Sequence, residues 1–227
     1  MSGGQRLKQP VRAVLFDLDG TLVDSAPDLA GAANDLRAAR NLPALPLATL
    51  RPWVGTGARG MVFTAFQVQP GEPDFEALRD EFLARYEQRM TQLTEVFEAM
   101  RPVLQTLTAR GMPWGIVTNK ATRFAVPLAQ ALGLDARAAT LVCGDTTPHS
   151  KPHPAPLLEA ARRMGMPPAD CVYVGDDLRD VRAGKAAGMR TVAAGWGYLG
   201  AGEPIGQWGA DQVAENPDQF LKWLDLA

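Results

Sequence analysis

Five short, mostly apolar runs constrain what this chain can fold into. They span residues 11–16 (VRAVLF), 114–118 (WGIVT), 140–143 (TLVC), 171–174 (CVYV) and 191–194 (TVAA). Continuous apolarity over so few residues is the pattern of strands buried on both faces. Helix-like segments lie between them, and each is stopped by a glycine: 102–110 before Gly111, 123–132 before Gly133, 154–164 before Gly165, and 180–187 before Gly188. Glycine just past a helix is a common stop signal, because it adopts the left-handed conformation at no steric cost. Strand and helix in alternation imply right-handed crossovers and a parallel sheet covered by helices on both faces, an α/β fold of the Rossmann-like kind. In such sheets binding residues gather at the carboxyl ends of the strands.

Residues 26–94 break the alternation with a helical pattern and no convincing strand. Phe75, Leu78, Phe82 and Tyr86 recur at helical spacing, and the three prolines within 43–53 mark a break between helices. The expectation is a core of residues 1–25 and 95–227, with a small all-helical domain, 26–94, inserted after the first strand.

With 46% hydrophobic and 21% charged residues, the chain can bury a sizeable core. Its net charge of −2 offers no basic excess for nucleic acid or a membrane surface. No apolar run is long enough to span a bilayer. Met1 to Pro10 is polar and lacks the apolar stretch of a signal peptide. Cys143 and Cys171 are far apart and not in a metal or redox spacing, so reduced, buried thiols are expected. These features together predict a cytoplasmic protein.

The acids at the strand ends carry the chemistry. Asp17 and Asp19 follow the first run in Asp17-Leu18-Asp19-Gly20-Thr21. One carboxylate can attack phosphorus, and the other can protonate the leaving oxygen and then deprotonate water. Gly20 lets the backbone turn and exposes N–H groups that can hold phosphate oxygens. An acidic turn without function is the alternative. Thr118 and Asn119 end the second run, where a hydroxyl and backbone N–H groups suit a phosphoryl group, or simply a helix N-cap. Lys151 can neutralise phosphate and hold the Asp17 charge, or be a solvated loop lysine. Asp176, Asp177 and Asp180 follow the run CVYV; they suit Mg²⁺, or a helix N-terminus that favours acids.

Each element has a plain structural alternative, but four of them occur in order, each just after a predicted strand. In that order and context the chain resembles the phosphatases of the haloacid dehalogenase superfamily, over nearly its whole length. The matching motifs are DLDGT, TN, KP and GDDLRD, and the helical insert corresponds to the cap of that family. The resemblance implies Asp17 as nucleophile and Mg²⁺ ligand, and Asp19 as general acid and base with its carbonyl on the metal. It implies Thr118 and the Asn119 backbone as phosphate ligands, Lys151 as the charge-neutralising lysine and Asp176 as a direct metal ligand. Asp180, and with it Asp177, would orient metal-bound water, although many relatives have a small hydroxyl residue at the place of Asp177.

Within the superfamily, Asp19 argues against the dehalogenases, which lack this acid, and against the transport ATPases, which have threonine there. The insert contains no Lys or His, whereas relatives that form a Schiff base or rotate a sugar phosphate use such residues in the cap. Hydrolysis of a small phosphorylated metabolite by a monomer or homodimer is the implied activity. Arg59, after the turn Trp53-Val54-Gly55-Thr56-Gly57-Ala58, is the candidate for gripping an oxygen of the substrate. Trp196, Gly197 and Tyr198 read as packing, and His149 and His153 as surface residues. The chain resembles the phosphoglycolate phosphatase group, and in closer detail its members acting on N-acetylmuramic acid 6-phosphate in cell-wall recycling. The closer likeness rests on WGIVTNK, Arg123-Phe124-Ala125, GDDLRD, Gly197-Tyr198 and Trp208-Gly209-Ala210-Asp211.

Overall fold

A computed structural model describes residues 10–200 and 202–226. The expectation about a leader concerns residues 1–9, which lie outside the described residues. In chain order the elements are β1 (Ala13–Phe16), β2 (Val23–Asp24), α1 (Ala26–Ala38), α2 (Leu47–Leu50), α3 (Gly57–Phe66), α4 (Phe75–Arg89), β3 (Glu95–Val96), α5 (Met100–Ala109) and β4 (Trp114–Val117). There follow α6 (Thr122–Ala131), β5 (Leu141–Val142), α7 (Ala155–Arg163), β6 (Cys171–Gly175), α8 (Leu178–Ala186), β7 (Arg190–Ala194), β8 (Gln212–Ala214) and α9 (Pro217–Trp223).

Six strands form one sheet in the order β5-β4-β1-β6-β7-β8, and every neighbouring pair is parallel. β1 is therefore interior, with Leu15 paired to Gly115 on one side and Tyr173 on the other. One apolar layer, including Val14, Phe16, Ile116, Val174 and Phe220, covers one face. A second layer, including Ala13, Leu15, Val117, Leu157 and Tyr173, covers the other. The five apolar runs are five of these strands. The sixth, β8, is a short edge strand that starts with a polar residue, and no period-two pattern marks it. Cys143 and Cys171 are buried free thiols, and burial raises the Cys171 thiol to about 11.

Between β2 and β3 the chain is helical, and α1, α3 and α4 pack on one another around Leu36, Met61, Phe82 and Tyr86. The helical stretch begins and ends on a two-stranded antiparallel ribbon, with Val23 opposite Val96 and Asp24 opposite Glu95. A ribbon of two residues per strand is too short to show in a hydrophobic period. Hydrogen bonds fix both ends. At the entry, the Tyr198 hydroxyl accepts from Ser25 N (2.8 Å) and Ala26 N (3.0 Å), two donors that helix α1 leaves without intrahelical partners. At the exit, buried Asp28 accepts from Leu93 N, Thr94 N and the Thr94 hydroxyl at 2.8–2.9 Å.

Candidate active site

The carboxyl ends of β1, β4 and β6 bring the motif residues together. Asp17 leaves β1, and its Oδ1 accepts from Leu18 N (2.7 Å) and from Lys151 Nζ (2.9 Å). The other oxygen, Oδ2, accepts no hydrogen bond among the described residues. Lys151 is buried and also reaches Asp180 Oδ1 (2.8 Å), the Tyr173 hydroxyl (2.8 Å) and the Val117 carbonyl (3.1 Å). Burial alone would lower the lysine pKa; Asp17 and Asp180 outweigh it, so the ammonium stays charged. Tyr173 was legible in the sequence only as an apolar strand residue. Its hydroxyl steadies the lysine and donates to Val117 O (2.7 Å).

Asp176 directly follows β6 and opens the loop that leads into α8. Its Oδ1 accepts from Thr21 Oγ1 (3.0 Å) and its Oδ2 from Tyr198 N (2.7 Å). Two glycines allow this approach. Gly20 has φ +83°, and a Cβ there would lie 2.2 Å from Asp176 Oδ2; a Cβ on Gly197 would lie 2.1 Å from Asp176 Cβ. The Gly20 N–H donates to Val23 O (2.9 Å), a contact that shapes the turn. The 196–198 turn also does more than pack. Trp196 Nε1 donates to Thr21 O (3.0 Å), and Tyr198 ties Asp176 to the start of α1.

Asp19 points along a separate path. Its carboxylate accepts from Lys120 Nζ (2.9 and 3.0 Å) and from the Ser25 hydroxyl (2.5 Å). Lys120 in turn lies 4.9 Å from the Tyr86 ring centre, on α4. This lysine had no role in the sequence reading, although it directly follows Thr118-Asn119; its position beside the phosphate motif was the available signal. Asn119 uses its side chain on the lysine loop: Nδ2 donates to Lys151 O and Oδ1 accepts from Lys151 N, both at 2.9 Å. Thr118 is buried, and its Oγ1 accepts from Lys120 N (3.1 Å).

Asp177 does not join the carboxylate cluster. It caps α8 by accepting from Arg179 N, and it takes a bidentate contact from the Arg179 guanidinium at 2.8 Å. The charge of Asp177 is thus neutralised from within its own helix start, by Arg179. Arg179 also donates to the Gly55 carbonyl of the helical insert. Asp180 completes the capping box through Asp177 N (3.1 Å) while it faces Lys151.

A cavity of about 340 Å³ holds Asp17, Asp19, Thr118, Asn119, Lys151 and Asp176, and the insert forms its other wall. Arg59 is not part of that lining. It opens on a second cavity of about 630 Å³ with Trp53, Phe63 and Arg182, and Thr56, Asp177 and Arg179 border both. His149 and His153 stack on each other, ring centres 4.4 Å apart, and line neither cavity.

Carboxylate oxygens of Asp17, Asp176 and Asp180 lie within 4.8 Å of one another. One cation, Lys151, serves Asp17 and Asp180, while Asp176 is met by a hydroxyl and an amide. Burial, opposed by Lys151 and reinforced by Asp180 and Asp19, pushes Asp17 up to about 7. Burial, with Asp17 and Asp180 nearby, likewise raises Asp176. An all-oxygen set with this excess of negative charge fits Mg²⁺.

A parallel sheet that presents a buried carboxylate, its lysine and a second acid pair at its carboxyl edge is the frame of a phosphoryl-transfer hydrolase. The model of the haloacid dehalogenase-like hydrolases matches residues 11–188, and the chain belongs to that family. It is a phosphoric monoester hydrolase. It is 44% identical over 217 residues to the N-acetylmuramic acid 6-phosphate phosphatase of Pseudomonas putida, covering 96% of this chain and 97% of that protein. It is 48% identical over 210 residues to the phosphoglycolate phosphatase of Xanthomonas campestris pv. campestris, covering 92% and 94%. Among solved structures, a predicted phosphoglycolate phosphatase from Haemophilus somnus 129pt superposes with a TM-score of 0.82 at 29% identity, covering 95% and 98%.

Proposed function

We propose that the protein is a Mg²⁺-dependent phosphatase that works through an aspartyl-phosphate on Asp17, and that its substrate is N-acetylmuramic acid 6-phosphate in the cytoplasm. The observation that carries the mechanism is the asymmetry of Asp17: Oδ1 is held by Leu18 N and Lys151, while Oδ2 is free to attack. Oδ2 forms a bond to phosphorus as the bond to the leaving oxygen breaks, and Asp19 gives that oxygen its proton. Asp19 then takes a proton from water as the water attacks phosphorus and frees Asp17. Lys151 offsets charge on the transferring group, and Thr118 with the Asn119 backbone orients it. Asp17, Asp176 and the Asp19 carbonyl would hold Mg²⁺, with Asp180 beside it. Bound there, the ion would neutralise the phosphate oxygens. The insert, residues 26–94, serves as a cap that shields the reaction from bulk water.

The substrate assignment rests on the Pseudomonas putida relative and on cavity size. The cavity, about 340 Å³, falls within the ~300–1,000 Å³ of small-molecule pockets, and a two-carbon acid would leave much of it empty. Phosphoglycolate is the second reading, favoured by the 48% identity to the Xanthomonas campestris phosphatase. Phosphate release with Mg²⁺, compared as kcat/KM for the two esters, decides. Preference for 2-phosphoglycolate overturns the first choice, and no release from any ester overturns the reaction.

A further inference from the structure

The charges around the catalytic cavity are unevenly shared. Every insert residue that lines it is uncharged: Leu29, residues 54–58, Phe82, Leu83 and Tyr86. All four cations come from the core: Lys120, Arg123, Lys151 and Arg179. Three of them are already paired, Lys120 with Asp19 (2.9 Å), Lys151 with Asp17 and Asp180, and Arg179 with Asp177 (2.8 Å). Arg123 has no carboxylate partner. Its guanidinium carbon lies 4.5 Å from the Phe124 ring centre, and it forms no ion pair or hydrogen bond among the described residues.

Its position makes this more pointed. Arg123 is the second residue of α6, where the helix dipole disfavours a cation and favours an anion. Its side chain is exposed to solvent while it lines the cavity, so a ligand anion can reach it. A ligand carboxylate reverses the sign of the interaction, because it pairs with the guanidinium fork and sits at the positive end of the helix. Arg59, the insert arginine that the sequence singles out, opens on the other cavity.

We infer that Arg123 is a specificity-determining residue that pairs with a carboxylate on the leaving-group side of the substrate. The preferred substrates are then phosphate monoesters that carry a carboxylate: an acid-bearing amino sugar or a hydroxy acid. This rests on the phosphatase reading above and adds a residue and a substrate class to it.

The test compares esters with and without the carboxylate-bearing group. N-acetylmuramic acid 6-phosphate is set against N-acetylglucosamine 6-phosphate, and 2-phosphoglycolate against ethyl phosphate, in the wild type, Arg123→Gln and Arg123→Lys with Mg²⁺. In the wild type the better pair shows a preference for the acid of roughly 10- to 100-fold in kcat/KM, as expected for a charge-assisted pair. Arg123→Gln brings the ratio close to unity, mainly through KM, and Arg123→Lys restores part of it. A ratio is read within one protein, so partial loss of folded enzyme does not alter it. A wild type with no preference for the acid in either pair overturns the inference, as does a ratio that survives Arg123→Gln. Absence of phosphate release from every ester instead overturns the phosphatase reading itself.

Discussion

The two walls of the catalytic cavity are built on opposite principles. The core wall is charged and tightly hydrogen-bonded: Asp17, Lys151, Asp180 and Tyr173 form one buried network, and Asp19 and Lys120 a second pair. The insert wall is neutral, from Leu29 to Tyr86, and touches the core through Tyr86 against Phe124 (5.5 Å) and Arg179 against Gly55. Chemistry that develops charge needs fixed charges in a buried site, where they act most strongly and require no reorganisation during reaction. Under the proposed cap role, a neutral insert wall spares the cost of breaking a buried ion pair on opening. The difference teaches where to look for each property: the reaction on the sheet edge, water exclusion on the insert, and charge recognition of the leaving group again on the core side.

The largest effect that can break this division is on Asp17. Asp17→Asn keeps the shape of the core wall and removes the proposed nucleophile, so kcat on p-nitrophenyl phosphate should fall on the order of 10⁴-fold or more. Turnover near the wild-type rate would show that the core wall does not act covalently.

The same wall carries an electrostatic cost that pH exposes. Asp17 rises from its ordinary 3.8 to about 7, with burial the main cause. The folded protein therefore keeps a proton that the unfolded chain loses between about pH 4 and 7. Stability contributed by the protonated site is present at low pH and falls as pH rises through that window. In chelator, Asp17→Asn should be more stable than the wild type at pH 8, by a few kcal/mol in order of magnitude, and the gap should shrink markedly by pH 5. Mg²⁺ should raise the wild-type Tm more at pH 8 than at pH 6. Denaturant titrations at the two pH values check both; a gap that does not vary with pH removes Asp17 as its source.

A smaller effect sharpens the comparison where the walls meet. Lys120 holds Asp19 from the core and lies against Tyr86 of the insert. Lys120→Met should lower kcat on a sugar phosphate roughly 10- to 100-fold, no more than the ~10²–10⁴ that a positioned acid–base group contributes. An unchanged kcat would mean that Asp19 needs no help from its lysine.

What the sequence revealed divides along the same line. Asp17, Asp19, Lys151 and Asp176 are legible because strand-end chemistry admits few residue types at fixed positions after apolar runs. The sheet was legible for the same reason, apart from the polar edge strand β8 and the two-residue ribbon of β2 and β3. Lys120, Tyr173 and Tyr198 were hidden, because a hydrogen bond from a lysine or tyrosine leaves no periodicity. Asp177 read as part of the acidic motif, yet a partner two residues away, Arg179, takes its charge. Arg59 was plausible by composition and turn, but which cavity it opens on is decided by how the insert packs, which no local pattern records.

Tyr198 tests the joint between the walls, with the smallest effect. Its N–H holds Asp176 on the core side, and its hydroxyl accepts from Ser25 N and Ala26 N while donating to Asp24 Oδ1 at 3.0 Å. Tyr198→Phe keeps the ring and the N–H and removes only the hydroxyl. Two buried N–H groups at the start of α1 then lose their shared acceptor, at a cost of about 1–3 kcal/mol. Because α1 opens the insert just after β2, the loss should show first as faster amide exchange at Ser25 and Ala26. Globally it should lower Tm by several degrees, at roughly 2–4 °C per kcal/mol for a chain of this size. If exchange there stays slow and Tm holds, the entry to the insert is fixed by packing around Leu29 and Tyr86 rather than by this hydroxyl. In that case apolar packing, with the Arg179 contact to the Gly55 carbonyl, would hold the insert wall to the core, and the contrast between the walls would be sharper still.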